Sequence, residues 1–256
     1  MAIVTLLTDS GESDHYIAAI KARIISVNPD IRIVDISHQI RMFDIGHAAF
    51  VLRSVFREFP KGTVHLVGVD ASGTRGDAFV IVKLEGHFFV GSDSGVFSLI
   101  SEQSPESIWE ISNTNPILTT FPEKEIFARA AARLASGEDP SLIGKPLADH
   151  KRLTDRQVKA TRKQITGHII RVDHFGNLLT NIPKPAFDTL SKEKAYTIQF
   201  GGEKFRRINS TYNQAEQGEC FIVFNSQDFL EIGIYKGNAS ELLGLGYDSV
   251  VNIIFE

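Results

Sequence analysis

Apolar positions in the first half of the chain switch between short unbroken runs and helical spacing. Residues 3–7 (IVTLL) read as a buried strand that ends at Thr8-Asp9-Ser10-Gly11. Residues 14–27 (DHYIAAIKARIISV) place apolar side chains three and four apart, as a helix with one inward face does, and Asp14 offers a cap or a first-turn acid. Residues 31–36 predict a second strand, 44–58 a second helix and 64–69 a third strand closing on Asp70. Residues 78–84 and 88–91 predict a hairpin pair, 94–101 a short helix, and 123–136 (EKEIFARAAARLAS) a helix stopped by Gly137. The alternation predicts an α/β N-terminal domain with a mostly parallel central sheet covered by helices.

The pattern changes at 138–164, which is polar, carries Pro140 and Pro146, and has no sustained apolar period. The predicted organisation is an α/β domain over 1–150, a linker over 151–164 and a smaller all-β, barrel-like domain over 165–256. In that last part short strands are expected at 165–172, 194–200, 203–208, 220–224, 229–235 and 248–255, with Gly201-Gly202 as a hairpin signal.

Composition narrows the function. The chain is 43% hydrophobic and 23% charged, as globular proteins are. A net charge of -4 gives no basic field for nucleic acid, and acids interrupt the cationic stretch 151–163 (KRLTDRQVKATRK). No run approaches the ~20 apolar residues of a membrane span, and the N-terminus lacks a basic leader, so no membrane partner and a cytoplasmic location are expected. Cys220 is the one cysteine and reads as a buried structural thiol.

Ligands of open α/β sheets bind beyond the carboxyl ends of the strands. Asp9, Asp35 and Asp70 stand at such ends. Each alone reads as a turn or cap; three together predict a site. The loop Asp70-Ala71-Ser72-Gly73-Thr74-Arg75-Gly76 pairs a carboxylate with a guanidinium, against the plainer reading of a surface ion pair. There is no GxxxxGK[ST], no GxGxxG after the first strand, no HExxH and no GxSxG, and the histidines read as structural, so no metal is expected. Asp173-His174-Phe175-Gly176-Asn177 combines an acid, an aromatic face and an amide, which suits a heterocycle with a cation nearby. A β-turn closed by Gly176 and Asn177 accounts for it equally well, and Asn225-Ser226-Gln227-Asp228 reads as a hairpin turn.

In order along the chain these segments resemble the S-adenosylmethionine hydroxide adenosyltransferases, a family related to fluorinases and chlorinases. Thr8-Asp9-Ser10-Gly11 with Asp14, Tyr16 and Lys21 is similar to the family's TDFG..D.YVG.MKG, and Asp35 to Ile40 to its DITH.I. Phe59 to His65 leads to Val69-Asp70, and Gly91-Ser92-Asp93-Ser94-Gly95-Val96 resembles GPDNGV. Val172 to Asn181 resembles D.FGN..TN, and Asn225-Ser226, Leu230-Glu231-Ile232 and Gly237-Asn238-Ala239 resemble NS....LEIA...GNA.

The resemblance implies hydrolysis of S-adenosylmethionine to adenosine and methionine without a cofactor, by a homotrimer whose sites lie between subunits. It implies that Asp9 meets the ribose and Asp173 the methionine ammonium. It places Phe175 and Asn177 at the adenine, Ser226 at the methionine and Phe43 near the reacting carbon. Asp70 and Arg75 match two residues associated with the attacking water. The chain departs from the family's TFHGRDIF, reading Thr120-Phe121-Pro122-Glu123-Lys124-Glu125-Ile126-Phe127, so that Pro122 takes the histidine's position. A second reading therefore stands beside the first: a homologue that binds S-adenosylmethionine or adenosine with impaired turnover.

Overall fold

The computed structural model describes residues 2–72, 78–112, 119–154, 156–192 and 194–256. The chain divides into two compact units, Met1–Asp155 and Arg156–Glu256.

The first unit holds β1 (Ile3–Thr8), α1 (Tyr16–Val27), β2 (Arg32–Ser37), α2 (Ile45–Val55), β3 (Val64–Gly68), β4 (Phe79–Leu84), β5 (His87–Ser92), β6 (Ser107–Ile111), α3 (Ala128–Ala135) and β7 (Gly144–Pro146). Its sheet runs β2-β1-β3-β5-β4-β6-β7. Strand residues alternate between two cores. Val4, Leu6, Val64 and Leu66 pack under α1 and α3 with Ile20, Ile24, Phe127 and Ala131. Leu7, Val67, Val80 and Phe89 pack with Leu52 of α2 and with Phe56. Buried on both faces, β1 and β3 read in sequence as unbroken apolar runs, whereas β2 lies at the edge and is half-exposed.

The expectation of a mostly parallel sheet needs correcting. The pairings β1–β2, β1–β3 and β3–β5 are parallel, but β4–β5, β4–β6 and β6–β7 are antiparallel, so the sheet is mixed. The reversal occurs at the β4–β5 hairpin, whose turn uses Glu85 at φ 51° and Gly86 at φ 75°. Two helical segments also differ. Residues 94–101 contribute only a 3-10 turn at Val96–Ser98, and 123–136 opens as a π-helical turn at Glu123–Phe127 before α3 begins.

The second unit holds β8 (Lys159–Ala160), β9 (Gln164–Val172), β10 (Leu178–Pro183), α4 (Lys184–Leu190), β11 (Tyr196–Phe200), β12 (Glu203–Phe205), β13 (Cys220–Phe224), β14 (Phe229–Ile234), α5 (Ala239–Leu243) and β15 (Val250–Phe255). The main sheet order is β12-β11-β15-β9-β10-β14-β13, with β8 also on β9, and every pairing is antiparallel. The long β9 pairs with β15 through its first half and with β10 through its second, which curls the sheet. Among the described residues β12 and β13 do not pair, so the curl stays open and short of a closed barrel. Gly167 lets β9 and β10 approach: a Cβ there would lie 2.3 Å from Ile182 Cγ1. Among the described residues no helix is long and apolar enough to cross a membrane.

His65 of β3 is buried whole. Thr5 Oγ1 lies 2.7 Å from its Nδ1, His87 Nδ1 lies 3.2 Å from its Nε2, and its ring stacks on Phe89 at 4.9 Å. Burial, helped by His87, pushes its pKa down to about 3. The unfolded chain takes up this proton near pH ~6.5 and the folded chain resists it. The stabilising effect of the neutral ring is therefore complete above pH ~6.5 and is lost as the pH falls towards 3, at up to ~1.4 kcal/mol per pH unit. Urea unfolding between pH 4 and pH 7 should show this slope, and His65→Asn should flatten it; an unchanged slope in the variant would place the acid sensitivity elsewhere.

Candidate functional site

Three loops of the first unit meet at the carboxyl ends of β1, β2 and β3. The chain leaves β1 at Thr8, and Asp9 N donates to Gly68 O at the end of β3. The loop after β2 closes on it through Gly11 N to His38 O at 2.9 Å and Ile40 N to Thr8 O at 3.3 Å. Asp9 then binds both neighbouring loops with one oxygen: Oδ2 accepts from Phe43 N at 2.8 Å and from Asp70 N at 3.3 Å. Phe43 and Asp70 are both left-handed, at φ 62° and φ 47°. Such conformations cost non-glycine residues on the order of 1 kcal/mol or more and persist where the surroundings impose them. The shared carboxylate helps to hold them here. Among the described residues Asp9 Oδ1 accepts no hydrogen bond. The Phe43 side chain is 72% exposed.

Asp35 sits on the edge strand β2 and is exposed. Lys21 Nζ donates to its Oδ2 at 2.6 Å, and His38 Nε2 lies 3.1 Å from its Oδ1 without the alignment of a straight hydrogen bond. Burial raises the Asp35 pKa, but Lys21 and His38 outweigh it and hold the carboxyl below its usual range. His38 Nδ1 also meets Thr8 Oγ1 at 3.0 Å. Asp35 thus fixes the loop by ion pairing, and Asp9 carries the site geometry.

In the second unit Asp173–Asn177 is the turn between β9 and β10. Asp173 Oδ1 accepts from Phe175 N at 2.9 Å and Asn177 N at 2.8 Å, and Oδ2 accepts from Asn177 Nδ2 at 3.2 Å. Gly176, at φ 85°, has no room for a side chain, since a Cβ would fall 2.0 Å from Asn238 Oδ1. The turn and ligand readings of this segment are therefore compatible: the carboxylate shapes a hairpin tip that leaves the Phe175 ring 72% exposed. Asn225–Phe229 is likewise the hairpin between β13 and β14, with Asn225 Oδ1 accepting from Gln227 N and Phe229 N and with Ser226 exposed.

Two acids escaped the sequence reading. Glu231 is buried in β14, where its Oε2 accepts from Asn225 Nδ2 at 3.1 Å and its Oε1 has no partner among the described residues. Burial raises its pKa, and the charge of Asp173 adds to this. Tyr212, beside it, is pushed up to about 12 by burial and by Glu231. A lone acid inside the apolar run 229–234 was the available signal. Glu123 is the second, and a glutamate opening a helix passes in sequence for a first-turn acid.

The structure therefore joins Asp9, Phe43 and Asp70 in the first unit, and Asp173, Phe175 and Asn177 in the second, with Ser226 on the adjacent hairpin. Arg75 lies outside the described residues. No group of three histidine, cysteine, aspartate or glutamate residues that could hold a metal ion occurs among the described residues. Cys220 is half-buried rather than buried, and burial pushes its thiol up to about 11, which leaves it inert. A cavity of about 370 Å³ lies on β11, β12 and β15, lined by Gln199, Glu203, Lys204 and Asn252, and none of the expected site residues line it.

Known proteins match this chain over both units. The chain is 31% identical over 268 residues, covering 99% of it and 96% of the relative, to a Methanocaldococcus jannaschii protein named (R)-S-adenosyl-L-methionine hydrolase. A Thermus thermophilus protein of the same name is 28% identical over 96% of each chain. A crystal structure of an uncharacterized conserved protein from Thermotoga maritima superposes with a TM-score of 0.89 at 30% identity, covering 98% of this chain and 99% of that one. The model of the SAM hydroxide adenosyltransferase N-terminal domain matches residues 4–144 and that of the C-terminal domain matches 167–252, so the chain belongs to the SAM hydroxide adenosyltransferase family.

Proposed function

We propose that the chain hydrolyses S-adenosyl-L-methionine to adenosine and L-methionine. The observation that carries the reading is family membership over both units, joined to curated relatives named as hydrolases of the (R) sulfonium form. The substrate brings its own leaving group. A water oxygen attacks C5′ in line, the C5′–S bond breaks, and its electron pair stays on sulfur as a neutral thioether. The protein's part is to align the water, fix the ribose and exclude bulk solvent.

In this reading the open Oδ1 of Asp9 accepts from a ribose hydroxyl while Oδ2 keeps the two loops in place. Asp70, held by Asp9, faces the water together with Arg75, and the exposed Phe43 ring covers the reacting carbon. Asp173 meets the ammonium, Phe175 stacks on the adenine, Asn177 hydrogen-bonds it, and Ser226 contacts the methionine. The working form is a homotrimer with sites between subunits, which light scattering on the purified protein tests. Pro122 supplies no side-chain donor or acceptor, so a binder with impaired turnover is the competing reading.

Incubation with (R)-S-adenosyl-L-methionine should release adenosine and methionine in equal amounts by chromatography. Binding seen by calorimetry without adenosine above the buffer blank would establish the competing reading. Asp173→Ala should weaken the calorimetric affinity by about tenfold or more, as loss of a charge-assisted contact does; unchanged affinity would remove it from the site. Asp9→Ala should speed hydrogen exchange at both the Phe43 and Asp70 amides and cost about 1–3 kcal/mol of stability; exchange rising at only one amide would show that the other loop holds itself.

A further inference from the structure

Glu123 opens the π-helical turn Glu123–Phe127 and is buried. Its side chain lies across the end of β3: a Cβ on Gly68 would fall 2.8 Å from Glu123 Cγ and 3.2 Å from Thr8 Cγ2. Only a glycine at Gly68 leaves that space, so the end of β3 is cut away where the acid enters. Thr8 and Gly68 are register partners, which sets the carboxyl over the same strand ends that carry Asp9 and Asp70. Among the described residues no other residue hydrogen-bonds it; its one such contact is with its own backbone N–H. π-helical turns are costly and recur at functional positions.

Several nearby charged groups are already paired. Glu125 is paired with Arg23, Lys124 and Arg129, Lys21 with Asp35, and Arg133 with Glu138. The charge that Glu123 feels is that of Asp9. Burial raises its pKa, and the Asp9 charge adds to this. A carboxyl raised in this way is a better proton acceptor near neutral pH than an ordinary one.

We propose that Glu123 takes the proton of the water that attacks C5′, a role that rests on the hydrolytic reading above. As the water oxygen bonds to C5′ and the sulfonium leaves as a thioether, the water's proton passes to the Glu123 carboxylate and then to solvent. The sum is adenosine, methionine and one proton from S-adenosylmethionine and water.

The test compares the wild type with Glu123→Gln and Glu123→Asp in turnover, affinity and pH profile. Glu123→Gln should lose roughly 10²–10⁴-fold in kcat while its calorimetric Kd for S-adenosylmethionine stays within roughly threefold. Glu123→Asp should recover part of the rate. The wild-type rate should fall on the acid side through a pKa above the ordinary glutamate value, and that limb should vanish in Glu123→Gln. A merely structural acid would change the unfolding midpoint without moving the pH profile, which would overturn the proposal. So would full turnover by Glu123→Gln, with the hydrolytic reading left standing. Wild type and variants all binding substrate but releasing no adenosine would overturn the hydrolytic reading and this role together. If Glu123→Gln does not fold, the acid limb of the wild type and its displacement in Glu123→Asp decide the question.

Discussion

One carboxylate oxygen organises the first unit's active edge. Asp9 Oδ2 takes the amides of Phe43 and Asp70 together, and both residues hold left-handed backbones that L-residues avoid. Neither residue is a glycine, and the loop after β2 is also closed by Asp44 N donating to Arg41 O. A charge-assisted bond from each amide to the carboxylate offsets part of the local cost. Asp9 thereby ties the backbones of Phe43 and Asp70 together at the ends of β1, β2 and β3, which pair in parallel.

The same device recurs in the second unit with a different backbone. Asp173 wraps its own hairpin with both oxygens, and a buried acid, Glu231, lies near it, as Glu123 lies near Asp9. Each constellation thus pairs an outer carboxylate facing N–H donors with an inner carboxyl raised by burial. The inner acids differ in their surroundings. Glu231 is met by Asn225, Tyr212 and Asn177, whereas among the described residues the Glu123 carboxyl meets only its own amide.

What was legible in the sequence follows from period and from turn chemistry. The unbroken runs at 3–7 and 64–69, the helix at 14–27 and the β-rich second half all announce themselves by spacing. β6 and β7 did not, because SIWEI and GKP are short and bounded by polar segments, and their direction is set by the β4–β5 hairpin and not by their own residues. Hence the sheet reads as more parallel than it is. The outer acids were legible because strand-end aspartates and a D-x-F-G-N turn are local patterns. The inner acids were not: Glu123 acquires its character only when Gly68 and Thr8, far away in sequence, are brought against it.

That difference bears on the departure at Pro122. A proline at the start of a helical turn loses nothing from the backbone, because the first N–H groups of a helix have no internal acceptor. Removing a side-chain donor at this corner therefore leaves the fold intact, and Pro122 serves as the residue that leads into Glu123–Phe127. The turn it starts directs a carboxyl, one residue later, onto the end of β3. Displacement of a sulfonium needs no strong acid at the leaving group, so one correctly placed acceptor is the minimum the water requires. Side-chain chemistry at the corner can thus move by one residue along the turn while the strands, the Asp9 clamp and the outer acids stay where they are.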